Sequence, residues 1–227
     1  MIIMAKKTTI KDNIKLMSIT APEPMEYYVN IETDKDRKKY VFQIEKIVRS
    51  SLEYKDYINF LKENLDLNKC IFFQNVTSDK TNRRSKVSIE LHHEPFTLFD
   101  YVNTVVTKYQ TEGLPLNALN IADEVLELHY ANKVGLVPLS KTMHEVIHNS
   151  TKLLVPLNMC YGDYSQFLEE YEPYISEDMY DKLERKLDMT KNLTPDSFEA
   201  IKKEFTYVDV KGFEGVDKLQ TASSQIA

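Results

Sequence analysis

With 227 residues, 42% of them hydrophobic, the chain can bury one good core or two small ones. Five glycines, eight prolines and 28% charged residues exclude collagen-like, low-complexity and wholly disordered chains. The net charge of −6 repels polyphosphate overall, so any contact with nucleic acid must be local.

The uncharged stretches 71–78 and 153–162 are far shorter than the ~20 apolar residues of a membrane helix, and no span is expected. Cys70 and Cys160 are well separated with no CxxC motif, so both read as free thiols rather than as a disulfide or a zinc knuckle. The chain opens Met-Ile-Ile-Met and turns at once to Lys6-Lys7, the reverse of a secretory signal's order. A cytoplasmic protein is expected.

Residues 1–30 hold short apolar groups broken by Pro22 and Pro24, and read as an arm with room for a strand. Thr33 followed by Asp36 marks a helix start, and Tyr40, Val41, Ile44, Ile47 and Val48 recur at helical spacing, which predicts a helix over about 34–50. Tyr54, Tyr57, Ile58 and Leu61 continue the spacing in a second, shorter helix. From Cys70 the texture becomes β-branched and aromatic. A polar turn follows, and then Val87, Ile89 and Leu91 alternate with Ser88, Glu90 and His92, which predicts a hairpin.

Leu98, Val102, Val105, Val106 and Tyr109 predict a helix ending at Gly113, and Leu119, Ile121, Val125, Leu126 and Tyr130 another after Pro115. Residues 135–139 read as a short strand, after which Ser140 or Thr142 caps a helix through Met143 and Ile147. Beyond Pro156 the chain is acidic and aromatic, a helical lobe whose last helix opens at Thr194-Pro195-Asp196. The expected division is an N-terminal arm and helical lobe over 1–68, a mixed domain over 69–155, an acidic helical lobe over 156–206 and a tail over 207–227.

All five histidines fall between 92 and 148: His92, His93, His129, His144 and His148. His144 and His148 stand four apart on a predicted helix, so both imidazoles leave one face a turn apart and can share a metal ion. His92 and His93 come at the end of a predicted strand. The run Glu90-Leu91-His92-His93-Glu94-Pro95, followed by Leu136-Val137-Pro138-Leu139 and then His144-Glu145-Val146-Ile147-His148, resembles the HNH or ββα-metal endonucleases, especially the colicin-type DNases. The likeness covers residues from about 80 to 150.

That resemblance implies an α+β fold: a ββα-metal core with a helical insertion, flanked by N- and C-terminal helical lobes. It makes His92, His144 and His148 the ligands of one divalent ion (Mg, Mn, Ni or Zn) and His93 the general base. The family's base-orienting residue, usually Asn, falls by spacing from His144 at Gly135. Asn132 takes that role if the loop is longer, and His129 is the other candidate; Glu90 and His129 are the residues expected to support the ligands and the base.

Such a centre fits phosphodiester cleavage, which needs a nucleophile made from water and relief for charge on the phosphoryl and leaving oxygens. Neutral imidazole, with an unperturbed pKa of ~6.5, can take the proton. Arg83, Arg84 and Lys86, with Lys80 before them, are candidate phosphate contacts, so DNA is the expected partner. The resemblance also suggests a phage or mobile-element source, with the host cytoplasm as location.

Two other readings stay open. His144-Glu145-Val146-Ile147-His148 also fits the HExxH motif of zinc metalloproteases, with Glu169, Glu170 or Glu172 as a third ligand, although this leaves His92-His93 without a role. A non-catalytic ββα scaffold with a structural ion is the third, and the acidic residues Glu169–Asp181 then offer a surface for a protein partner.

Overall fold

Thr33 starts the first helix by accepting a hydrogen bond from the Asp36 amide at 3.1 Å, and α1 (Asp34–Ser50) then buries Tyr40, Val41, Ile44 and Val48 along one stripe. Each such side chain stabilises the fold by about 1.5–3 kcal/mol relative to exposure. The computed structural model describes residues 29, 31–73, 76–78, 87–149 and 155–191. The arm at the N-terminus, the helix expected at Thr194-Pro195-Asp196 and the tail lie outside them. Ser51 both ends α1 and caps α2 (Leu52–Asn64), accepting from the Tyr54 amide at 3.1 Å.

After β1 (Ile89–His93), Thr97 and Asp100 form a reciprocal capping box that opens α3 (Leu98–Thr111). Asn117 caps α4 (Ala118–Tyr130), which ends with Asn132 in the left-handed region at φ 61°. Then come β2 (Leu136–Ser140), α5 (Lys141–Asn149), α6 (Tyr164–Glu170) and α7 (Glu177–Lys191). Seven helices and one two-stranded sheet among the described residues make the fold broadly α+β. No described helix is long and apolar enough to cross a membrane.

β1 and β2 pair antiparallel, with His92 opposite Val137 and His93 opposite Leu136, so α3 and α4 are inserted between partners. Pro138 does not weaken this pairing. Leu136 exchanges both backbone hydrogen bonds with Tyr161 at 2.8 Å, and Pro138 accepts from the Ile71 amide at 2.9 Å, so the missing proline donor falls on the outer edge of β2.

The hairpin expected between 70–76 and 86–92 is replaced by this long-range pairing. The Cys70 amide instead donates to the Val76 carbonyl at 2.9 Å, and Lys69 bridges Thr77. The physical reason is burial: Phe72 packs with Ile89, Val137, Leu139 and Met143 in a small cluster that needs both strands.

The larger core joins α1 to α4 with Leu91 and Leu136 of the sheet and with Phe167, Tyr171 and Met179 from the acidic end of the chain. Two-residue periodicity therefore splits the sheet: Leu91, His93 and Leu136 face the helices, while Glu90, His92, Val137 and Leu139 face α5.

Gly135 lets the strands meet. An added Cβ there would lie 1.9 Å from the Glu94 carbonyl oxygen, and the Gly135 amide donates to the Tyr101 hydroxyl at 3.2 Å. Gly135→Ala is expected to destabilise the protein by about 3 kcal/mol, the upper end of overpacking penalties, because backbone and not a flexible side chain must give way. Urea denaturation of both proteins checks this, and an unchanged midpoint would contradict the close approach.

Candidate metal centre

Because Glu90 and His92 share one face of β1 and α5 follows β2 directly, the helix lays its His144 and His148 across that face. Ser140 helps start the helix, its Oγ accepting from the Met143 amide at 3.3 Å. One ligand atom each from His92, His144 and His148 lie within 4.8 Å of one another. The Nε2 atoms of His144 and His148 are 3.1 Å apart. Two ligands bonded at 2.0–2.1 Å at a tetrahedral ion stand about 3.3 Å apart, so this pair already has the required spread.

The ring of His144 is held from behind. Its Nδ1 is 2.6 Å from Glu90 Oε2, so Nδ1–H donates to the carboxylate and Nε2 keeps its lone pair towards the cluster. His92 Nε2 lies 3.4 Å from Glu94 Oε2, and the 3% exposed Glu94 is paired with Lys186 of α7. Lys186 also donates to the Pro95 carbonyl at 3.0 Å.

His92 is buried, His144 half-buried and His148 exposed, so the cluster opens to solvent on the His148 side. Desolvation first, then His92 and His144, pushes the His148 pKa below its ordinary value, which favours the neutral form that ligation needs. Three imidazoles suit zinc or nickel better than magnesium, which prefers oxygen ligands. Both cysteines are free, and burial pushes the Cys160 thiol up to about 12, far from a thiolate ligand.

His93 points the other way. It is 5% exposed, with Tyr54 stacked at 6.5 Å, and its Nε2 is 3.1 Å from His129 Nε2. His129 Nδ1 lies 2.7 Å from the Val125 carbonyl oxygen, so it carries the proton that donates there. His129 Nε2 must then accept, His93 Nε2 donates to it, and His93 keeps its lone pair on Nδ1. Burial drives both rings towards neutrality, His93 well below its usual range and His129 down to about 4.

The side chain that touches His93 is thus His129. Asn132 closes α4: its amide donates to the His129 carbonyl at 3.0 Å and its carbonyl accepts from the Asp163 amide at 2.7 Å. Its side-chain Oδ1 is buried without a partner among the described residues. At Gly135 there is no room for the family's Asn. Arg83, Arg84, Lys86 and Lys80 lie outside the described residues.

Glu145 is 65% exposed and 4.0 Å from Lys141, while Glu170 pairs with Lys133 and Asp178 with Lys182. The contacts of Glu94 and Lys186 were missed by sequence reasoning. Glu94 had a signal, since it stands two residues after His92 on the same face; Lys186, 92 residues away, had none.

Comparison with known proteins yields a family match. The model of the bacteriophage G278-like virion protein family fits residues 2–211. No curated protein and no solved structure matches the chain.

The neutral His93–His129 pair makes stability depend on pH. The unfolded chain protonates His129 near the ordinary 6.5, whereas the folded protein resists down to about 4, so between these values the unfolded state binds more protons. Stability is therefore full above 6.5 and falls on acidification, by on the order of 3 kcal/mol from His129 by pH 4. His129→Gln, which can still accept from His93, should flatten that slope in urea denaturation series from pH 7 to 4. Parallel slopes for the two proteins would contradict the assignment.

Proposed function

The chain belongs to the bacteriophage G278-like virion protein family, and we propose that it is a divalent-metal-dependent phosphodiesterase acting on DNA, with one ion held by His92, His144 and His148. The observation that carries this reading is the meeting of a strand histidine with a helical histidine pair at a solvent-open centre. Order and pairing of the elements, two antiparallel strands followed at once by the ligand helix, support the likeness to a ββα-metal core. A bound divalent ion there supplies Lewis-acid stabilisation of the phosphoryl and departing oxygens.

The remaining work falls to side chains. Glu90 fixes the His144 tautomer, and Glu94 with Lys186 steadies His92. In this reading the base is His93, whose Nδ1 keeps its lone pair while His129 orients the ring through Nε2 in place of the family's Asn, so water has to reach it on the face of β1 opposite His92. The HExxH alternative is weaker, because Glu145 leans towards Lys141 and the third histidine comes from an upstream strand.

A second reading, a structural ion in a non-catalytic virion component, is favoured by one observation, the 5% exposure of His93. Nicking of supercoiled plasmid with Zn²⁺, Ni²⁺, Mn²⁺, Mg²⁺ or EDTA, run beside calorimetry of metal uptake, separates the two. The nuclease reading expects nicking with a transition metal and none with EDTA. His148→Ala should lose metal affinity and cleavage together, with partial recovery at high metal. His93→Gln should keep metal uptake and slow cleavage by about 10²–10⁴-fold, while Glu145→Ala changes neither. Tight uptake with no nicking would leave the structural ion.

A further inference from the structure

A separate pocket of about 390 Å³ opens between one face of α2 and the end of α4, a size in the range of small-ligand sites. Glu53, Asp56 and Tyr57 line it from α2, and Tyr130, Asn132 and Tyr161 line the opposite side. Helical spacing explains the α2 contribution, since residues 53, 56, 57 and 60 recur on one face. His129, which bonds His93, also lines it, and none of the three ligand histidines does.

Two observations define what the pocket lacks. Among the described residues the Tyr57 hydroxyl and Asn132 Oδ1 are both buried without a hydrogen-bond partner, and Tyr57 as a whole is only 9% exposed. Buried polar groups in folded proteins are normally satisfied, so a pair left open at one pocket points to an absent partner. Beside the apolar Phe60 and Leu61, the side-chain oxygens of two carboxylates, an amide and phenols can all accept, and among the described residues no lysine or arginine lines the pocket.

The electrostatics have one sign. Glu53 and Asp56 are exposed at the rim, and after burial they are the causes that raise the Tyr130 pKa, so their field reaches the opposite wall. The C-terminal end of α4, with its partial negative charge, closes the same side. Tyr57 and Tyr130 meet edge-on at 5.6 Å, and such rings attract a cation over their faces. An anion would find only phenol and amide donors here, facing the two rim carboxylates.

We propose that this pocket binds an organic cation, a primary ammonium or guanidinium group on a short aliphatic stem. Such a group is donor-only, with three or five N–H bonds to give, and matches the open oxygens of Tyr57 and Asn132 and the rim carboxylates. Two sources share this chemistry: a lysine or arginine side chain of a protein partner, or a free alkylamine.

Calorimetry on the full chain at pH 7 tests it with butylammonium, agmatine, short lysine- and arginine-containing peptides, and butanol as the neutral isostere. Saturable binding of the cations with none of butanol is expected. Replacing the exposed rim by Glu53→Gln with Asp56→Asn should weaken binding at least tenfold, and so should Asn132→Gly, which keeps a residue suited to the left-handed backbone while removing the amide. Peptides binding tighter than the free amines would identify a protein side chain as the source; the reverse would identify a free amine. Zinc uptake should stay at the wild-type level in the rim variant. Butanol binding as well as butylammonium, no saturable cation binding, or an unaffected rim variant would overturn the assignment.

Discussion

A strand turns successive side chains to opposite sides, and in β1 this separates two adjacent, chemically identical residues into different environments. His92 faces α5, where it meets the helical histidine pair in a centre open to solvent. His93 faces the helical body, where tyrosines and His129 enclose it and desolvation keeps it neutral. Slipping the register by one residue would exchange them, placing a ligand in the core and a core histidine in water. Leu91 on one face and Val137 and Leu139 on the other, all buried, oppose such a slip.

That register in turn depends on backbone contact beyond the strand ends. The Glu94 amide donates to the Gly135 carbonyl at 3.0 Å, and only the absence of a side chain at 135 lets the chains approach so closely. The residue that follows β1 is thus fixed by the residue that precedes β2, although a pair of helices separates them in sequence. Glu94, held there, can reach both His92 and Lys186.

Period was the part of the fold most legible in the sequence. The helices at 34–50, 98–111 and 118–130 follow from apolar spacing and caps, as does the proximity of His144 to His148. The insertion of two helices between the strands was also readable from the interval between His93 and His144. Strand pairing came only from the resemblance, because alternation marks a strand without naming its partner, and the nearer segment from Cys70 carried a similar texture. His129 beside His93 was beyond reach for another reason: a histidine on the apolar face of a helix looks the same whether it fills space or orients a neighbour. The roles of these residues lie in hydrogen-bond directions that no spacing encodes. No residue pattern in the sequence points to a virion protein family; only the phage source was suggested, by resemblance.

The tie between Lys186 and Glu94 bears on how separable the histidine cluster is from the rest of the chain. Glu94 is 3% exposed, and α7 supplies its counter-ion and, through Lys182 at 3.0 Å, that of Asp100 in the α3 cap. A fragment ending before α7 would strand two acidic groups in a poorly hydrated interior, a costly state that the chain relieves by rearranging. The strand–helix motif is therefore not a portable cassette. Grafted onto another scaffold without its helical insertion and its distant lysines, it would carry the histidines but not the conditions that orient them.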